Sequence, residues 1–176
     1  MFEKEFVLQY FQDLSEKVEK EKIIPRELKI SLISNKATVV AGPRRSGKTF
    51  FLLSKLKENP NTLYIDLEHS AFKHLSHKEF FEVILIFEEY FKKKVDAVLI
   101  DEVQRMEEWE RLVRSLLDRY KVVVSGSSSK LLPKEIATSL RGRSLTYLLL
   151  PLSFREYLKF KGIEMSSTFS LSGKVR

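Results

Sequence analysis

Residues 42–49 read GPRRSGKT and directly follow the apolar run Ala37–Ala41. The spacing is GxxxxGK[ST], in the setting its chemistry needs: a strand ends, a tight loop turns and a helix begins. Gly42 and Gly47 allow backbone N–H groups to face phosphate oxygens with no Cβ in the way. Lys48 brings a compact positive charge to the β- and γ-phosphates. Thr49 offers a hydroxyl to Mg²⁺, and the helix it opens points its positive end at the anion. Pro43, Arg44, Arg45 and Ser46 complete the loop and Phe50 follows it, so Gly42–Phe50 is the candidate nucleotide-binding segment.

A second group stands about 50 residues on, where the apolar run Val98–Ile100 ends in Asp101 and Glu102. Asp101 is placed to hold Mg²⁺, directly or through water, together with Thr49. Glu102 is placed to polarise a water for attack on the γ-phosphate. A protein that only binds a nucleotide, or passes its phosphate to a metabolite, has no need of the second carboxylate. The pair therefore favours ATP hydrolysis over a small-molecule kinase. Gln104 could help to orient the water or sense the nucleotide. A third apolar run, Val122–Val124, ends in Ser125-Gly126-Ser127. Ser125 is the first choice for a polar contact to the water or the γ-phosphate, with Ser127 the alternative. Arg141 and Arg143 flank Gly142 just before the last strand. Arg143 is the candidate to stabilise transition-state charge in a neighbouring subunit, although surface arginines at a helix end would read the same way.

These groups need a frame, and short Val/Ile/Leu-rich strands alternating with helical segments supply one. The pattern predicts an α/β fold with a doubly wound parallel sheet covered on both faces. Strands are expected at 37–41, 62–67, 96–100, 121–125 and 144–150. Helices are expected at 3–21, from Arg26 to about Ser34, at 47–57, to about residue 91 from a Ser76–Glu79 capping box, at 107–120 and after Pro133. Phe6, Leu8, Tyr10, Phe11, Leu14 and Val18 are the apolar face offered by the first helix. His69, His74 and His77 lie within nine residues and read as loop histidines rather than a metal site. Trp109 reads as a packing residue. Residues 1–162 form the expected domain, and 163–176 a loose tail with no periodicity.

Composition narrows the classes. The chain has 176 residues, 43 % of them hydrophobic, enough for one domain with a real core. No run approaches the roughly 18 apolar residues of a membrane helix, and MFEKEFVLQYF is not a signal peptide. The expectation is a cytoplasmic protein with no membrane partner. The absence of cysteine excludes disulfides and thiolate metal ligands. The formal charge of +7 comes from 31 basic and 24 acidic residues with the signs interspersed. Nucleic acid is the partner class such a surplus would attract, but no dense basic run supports it.

Together GPRRSGKT, LIDEVQ at 99–104 followed by Trp109, VVSGSSSKLL at 123–132, LRGR at 140–143 and PLSFREYL at 151–158 resemble the AAA+ superfamily, more narrowly the archaeal-type prokaryotic AAA ATPases. The resemblance runs from about Ile23 to Lys161. It implies a P-loop NTPase core with strand order 5-1-4-3-2, Mg-ATP as ligand, ADP as product, and hydrolysis coupled to a conformational change, often in a homo-oligomer. It also implies that residues near Ile23–Arg26 line the adenine pocket. Such proteins continue past PLSF into a helical lid bearing a further arginine. Only about 25 residues follow Pro151 here, too few to form that lid, so the chain reads either as a fragment or as a reduced family member. A core without its lid could instead serve as an ATP-dependent switch or interaction module with little turnover.

Overall fold

The computed structural model describes residues 3–127, 129, 131, 136 and 138–163. The strands are β1 (Ala37–Gly42), β2 (Thr62–Asp66), β3 (Ala97–Asp101), β4 (Lys121–Ser127) and β5 (Ser144–Leu148). They form one sheet in the order β2-β3-β4-β1-β5, and every pairing is parallel. This is the expected order read from the other edge. All six residues of β1 and all five of β3 are buried. Two-sided burial is what makes parallel strands nearly continuous in Val, Ile and Leu.

The helices are α1 (Lys4–Lys20), α2 (Lys48–Glu58), α3 (His77–Phe91), α4 (Trp109–Leu116) and α5 (Phe154–Phe160). α2 lies across β1 to β4, and α4 lies against β4. The Ser76–Glu79 capping box forms in full at the start of α3. α1 packs on α3, burying Val7, Tyr10 and Phe11. Phe6, expected on that apolar face, is instead 60 % exposed. Trp109 is buried at the start of α4. Residues 134, 135 and 137 of the helix expected after Pro133, and residues 164–176 of the expected tail, lie outside the described residues.

The predicted helix from Arg26 to Ser34 does not form. Its polar groups bond to distant partners instead. The Glu27 N–H donates to Glu156 Oε1 at 2.9 Å, Thr38 Oγ1 donates to the Ser31 carbonyl at 2.8 Å, and the Ser31 N–H donates to the Tyr147 hydroxyl at 3.2 Å. Arg26, Leu28 and Ile30 are half-buried, while Glu27, Lys29 and Ser31 are exposed. That alternation is the period of an extended segment, not of a helix.

The parallel register carries the site. Val40 pairs with Ser125, Ile100 with Val124, and Asp66 with Asp101. The ends of β1, β3 and β4 therefore deliver Gly42, Asp101 and Ser125 to one rim of the sheet, where ligands bind in open α/β folds.

Candidate nucleotide site

The loop between β1 and α2 is shaped by close approaches. A Cβ on Gly42 would stand 2.3 Å from the Leu149 carbonyl oxygen and 2.8 Å from Ser46 Oγ. No side chain larger than hydrogen fits there. Gly47 has φ 90°, in the left-handed region that glycine enters without a steric cost. Arg45 takes a left-handed φ of 63° as well. Because Gly47 is the cap residue, no side chain caps α2, and no acidic residue lies in its first turn. The first N–H groups of the helix are thus left for an anion. Ser46 Oγ is buried and unpaired among the described residues. The Lys48 ammonium sits on the Gly42 and Pro43 carbonyls at 3.2 and 3.1 Å and is only 6 % exposed.

Asp101 is the hub. Its Oδ2 accepts from Thr49 Oγ1 at 2.7 Å and from the Tyr64 hydroxyl at 3.0 Å. Its Oδ1 accepts from Ser125 Oγ and, at 3.1 Å, from the Glu102 N–H. The carboxylate is 1 % exposed, yet both oxygens are satisfied. Burial, and then the Asp101 charge, push the Tyr64 phenol well above its ordinary value, so it remains a donor to Asp101. Asp66 beside it is also raised, by burial first; the Glu68 N–H pulls the other way and the Asp101 charge adds to the rise.

Glu102 sits at φ 50°, ψ 47°, a left-handed conformation that non-glycine residues seldom adopt. From this backbone its side chain lines the cleft. Its Oε1 lies 4.0 Å from Lys48 Nζ, and its Oε2 accepts from Gln104 Nε2. Gln104 Oε1 is buried and unpaired among the described residues, pressed against Gly126.

These groups line a cleft of about 1210 Å³. The β1–α2 loop contributes Pro43, Arg44, Arg45 and Gly47, and α2 contributes Lys48, Thr49 and Phe50. Across from them stand Glu68, Glu102, Gln104 and Arg105, with Ser127 and Ser129 behind. Ser125 is fully buried beneath the cleft against Asp101, whereas Ser127 opens onto it. Arg143 precedes β5 at the opposite end of the strands, where its carbonyl accepts from the Ala37 N–H at 2.9 Å. Its guanidinium faces Asp118 at 3.8 Å, and neither it nor Arg141 lines this cleft.

The donor set suits Mg²⁺. Thr49 and Asp101 offer hard oxygen atoms, and this cation is typically held by one or two such groups plus phosphate oxygens. Among the described residues no three His, Asp or Glu side chains converge as a metal-binding group. His69 packs at a tilt against Tyr10 with ring centroids 4.8 Å apart, and His77 Nε2 lies 3.2 Å from the Glu107 carbonyl. Neither geometry builds a metal centre.

The AAA domain family model matches residues 34–158, from the approach to β1 into α5. This chain belongs to the AAA domain family. An uncharacterised protein of Methanocaldococcus jannaschii is 39 % identical over 166 residues, covering 93 % of this chain and 37 % of that protein. An uncharacterised protein of Haemophilus influenzae is 30 % identical over 138 residues, covering 73 % of this chain and 34 % of that one. The chain thus spans about a third of the length of these curated relatives. Two solved structures are similar at low scores. C. elegans PCH-2 has a TM-score of 0.43 at 18 % identity, covering 96 % of this chain and 50 % of that one. AMPPCP-bound DnaA from Aquifex aeolicus has 0.40 at 14 %, covering 90 % and 53 %. Among the described residues of this AAA domain, no helix is long and apolar enough to cross a membrane.

The AAA core contains a buried connection that the motifs do not announce. Arg26 donates to the phosphate-loop carbonyl of Ser46 at 2.6 Å, to the Leu150 carbonyl at 2.7 Å, and to Glu156 at 2.8 and 3.2 Å. Glu156 lies in the first turn of α5 and completes a capping box with Ser153. Hydrogen bonds from Arg26, and then from the Glu27 and Ser153 N–H groups, hold its carboxyl down at about 2. The segment near Ile23–Arg26, assigned to the adenine pocket by resemblance, thus also ties the phosphate loop to α5. The S-x-x-E spacing at 153–156 was the available sequence signal.

Proposed function

We propose that this AAA domain binds Mg-ATP and hydrolyses it to ADP and phosphate. The observation that carries the reading is the position of Glu102: in the cleft, 4.0 Å from the Lys48 ammonium, on a left-handed backbone. Lys48 and the free N–H groups of the loop and first turn of α2 bind the phosphates. Thr49 and Asp101 would hold Mg²⁺, which supplies neutralisation of the phosphate charge. Glu102 accepts a proton from the attacking water, and Gln104 fixes the orientation of its carboxylate. Ser125 acts through Asp101, while Ser127 is the strand-end hydroxyl open to the γ-phosphate side. Arg143, or Arg141, would complete the site of a neighbouring copy in a homo-oligomer. The Arg26–Glu156 link would give ATP turnover a route from the β1–α2 loop to α5.

A second reading is supported by the same glutamate. Glu102 is already engaged by Gln104 and faces Lys48, which favours a nucleotide switch with little turnover until a partner frees it. Phosphate release and ATP binding, measured for wild type, Lys48→Ala and Glu102→Gln, separate these. Hydrolysis predicts release that Glu102→Gln abolishes while binding persists. The switch predicts binding with negligible release in both. Binding undiminished by Lys48→Ala would sink the nucleotide reading altogether. Adding DNA to the same assay tests the nucleic-acid expectation, since stimulated turnover and salt-sensitive binding are required by it.

A further inference from the structure

Arg105 and Glu68 belong to two clefts at once. Both line the 1210 Å³ nucleotide cleft, and both line an adjoining cleft of about 980 Å³ between the segments that follow β2 and β3. Their side chains meet across the boundary. Arg105 Nε lies 3.2 Å from Glu68 Oε1, and Nη2 donates to the same oxygen. Arg105 ends the short turn that begins at Val103, so it sits three residues beyond Glu102. Beyond Arg44 and Arg45 of the phosphate loop itself, it is the only arginine among the described lining residues.

The pairing is easily exchanged. Both side chains are about half exposed, at 53 % for Arg105 and 50 % for Glu68. Exposed pairs of this kind contribute little net stability. A guanidinium fork matches phosphate oxygens as well as it matches a carboxylate, and a triphosphate brings more charge than one glutamate. Glu68 also adds a carboxylate to the cleft, so it competes with a phosphate oxygen for the Arg105 guanidinium.

We propose that Arg105 reads the γ-phosphate in its own subunit by exchanging Glu68 for a phosphate oxygen. Without a third phosphate, Arg105 stays on Glu68 and the boundary between the two clefts stays closed. With it, the guanidinium moves to the nucleotide and the boundary opens. Arg105 is thereby the residue that distinguishes ATP from ADP. This inference rests on the nucleotide reading of the cleft.

The test measures the Kd of ADP and of a non-hydrolysable ATP analogue by calorimetry on the full chain. The expected result for Arg105→Ala is a loss of roughly tenfold or more for the triphosphate, with ADP unchanged within about twofold. Arg105→Lys keeps the charge but loses the fork, and should recover only part of the loss. Glu68→Gln should tighten the triphosphate selectively, because Arg105 is then released without a nucleotide. Equal losses for both nucleotides, or none in Arg105→Ala, would overturn the proposal while leaving the nucleotide reading intact. Wild type that binds neither nucleotide would remove that reading and this inference with it. If Arg105→Ala fails to fold, Glu68→Gln alone decides: an unchanged ATP-to-ADP ratio overturns the exchange.

Discussion

Arg26 meets Glu156 across 130 residues of chain, with Nε 2.8 Å from Oε1, and each side chain is less than 10 % exposed. A buried charge pair is tolerated only when its remaining donors and acceptors are met, and here each guanidinium nitrogen and each carboxylate oxygen has a partner. The guanidinium also holds the Ser46 and Leu150 carbonyls, and the carboxylate also accepts from the Glu27 and Ser153 N–H groups. Removing one partner strands the other, so Glu156→Gln is expected to cost about 3–5 kcal/mol at neutral pH. The pH dependence has a definite sign. The folded carboxyl titrates at about 2, below its ordinary 4.5, so its contribution is complete above 4.5 and fades as pH falls toward 2. Urea unfolding of wild type between pH 5 and 2 should show this loss, and Glu156→Gln should lack it. Parallel curves for the two proteins would refute the pairing.

The two glycines flanking the site should respond differently to alanine. At Gly42 the new Cβ meets a backbone carbonyl, Leu149 O, at 2.3 Å, and the backbone cannot step aside cheaply. Gly42→Ala is therefore expected to lower stability by about 1–3 kcal/mol and to weaken ATP binding. At Gly126 the Cβ meets the ends of two side chains, Gln104 Oε1 at 2.1 Å and Leu131 Cδ1 at 2.7 Å. Gly126→Ala should displace Gln104 from Glu102 and change hydrolysis, with ATP affinity retained. Denaturation and phosphate-release assays on both variants check the contrast, and a Gly126→Ala variant with wild-type phosphate release would show that Gln104 plays no part.

Tyr10 protects the free edge of β2. Its hydroxyl accepts from the Asp66 N–H at 3.1 Å and donates toward the Tyr64 carbonyl at 3.4 Å. Exposed edge groups of this kind invite pairing with other chains. Burial raises the phenol far above its ordinary value, so it remains protonated throughout the useful pH range. Tyr10→Phe leaves the ring contacts with Phe11 and Phe72 in place and strands the Asp66 N–H. The expected cost is about 1–2 kcal/mol, read by urea unfolding. No measurable change would mean that water replaces the hydroxyl without loss.

The sheet was legible because buried parallel strands spell themselves in Val, Ile and Leu, and the phosphate loop because its spacing is fixed by phosphate geometry. The place of Asp101 and Glu102 at the end of β3 was legible too, whereas their roles belong to the proposed function. Tyr64 could not be read this way. It is one more apolar-looking residue inside TLYID, and only the β2–β3 register brings its hydroxyl to Asp101. Residues 26–34 were misread because Pro25 suggested a helix start, while the weak alternation of Arg26, Leu28 and Ile30 depends on β1 and β5 for its meaning. Arg26 and Glu156 are each ordinary surface residue types. Nothing local to either reports a partner 130 residues away.

Substitution of Asp101 should separate nucleotide binding from metal binding. As a carboxylate it accepts from Thr49, Tyr64, Ser125 and the Glu102 N–H. Asparagine keeps the shape but replaces one acceptor oxygen with a donor, and it removes the negative charge. The three hydroxyls can rotate to accept, so the fold should survive. Lys48 and the loop amides do not depend on Asp101, so ATP without Mg²⁺ should still bind. What Asp101→Asn should lose is the increment that Mg²⁺ adds. Wild type with Mg-ATP at a hundredfold excess over Kd should gain on the order of 5–10 °C in Tm. The variant should gain no more with Mg²⁺ than with chelator, whereas an undiminished Mg²⁺ increment would take Asp101 out of the metal site and leave it a purely structural acceptor.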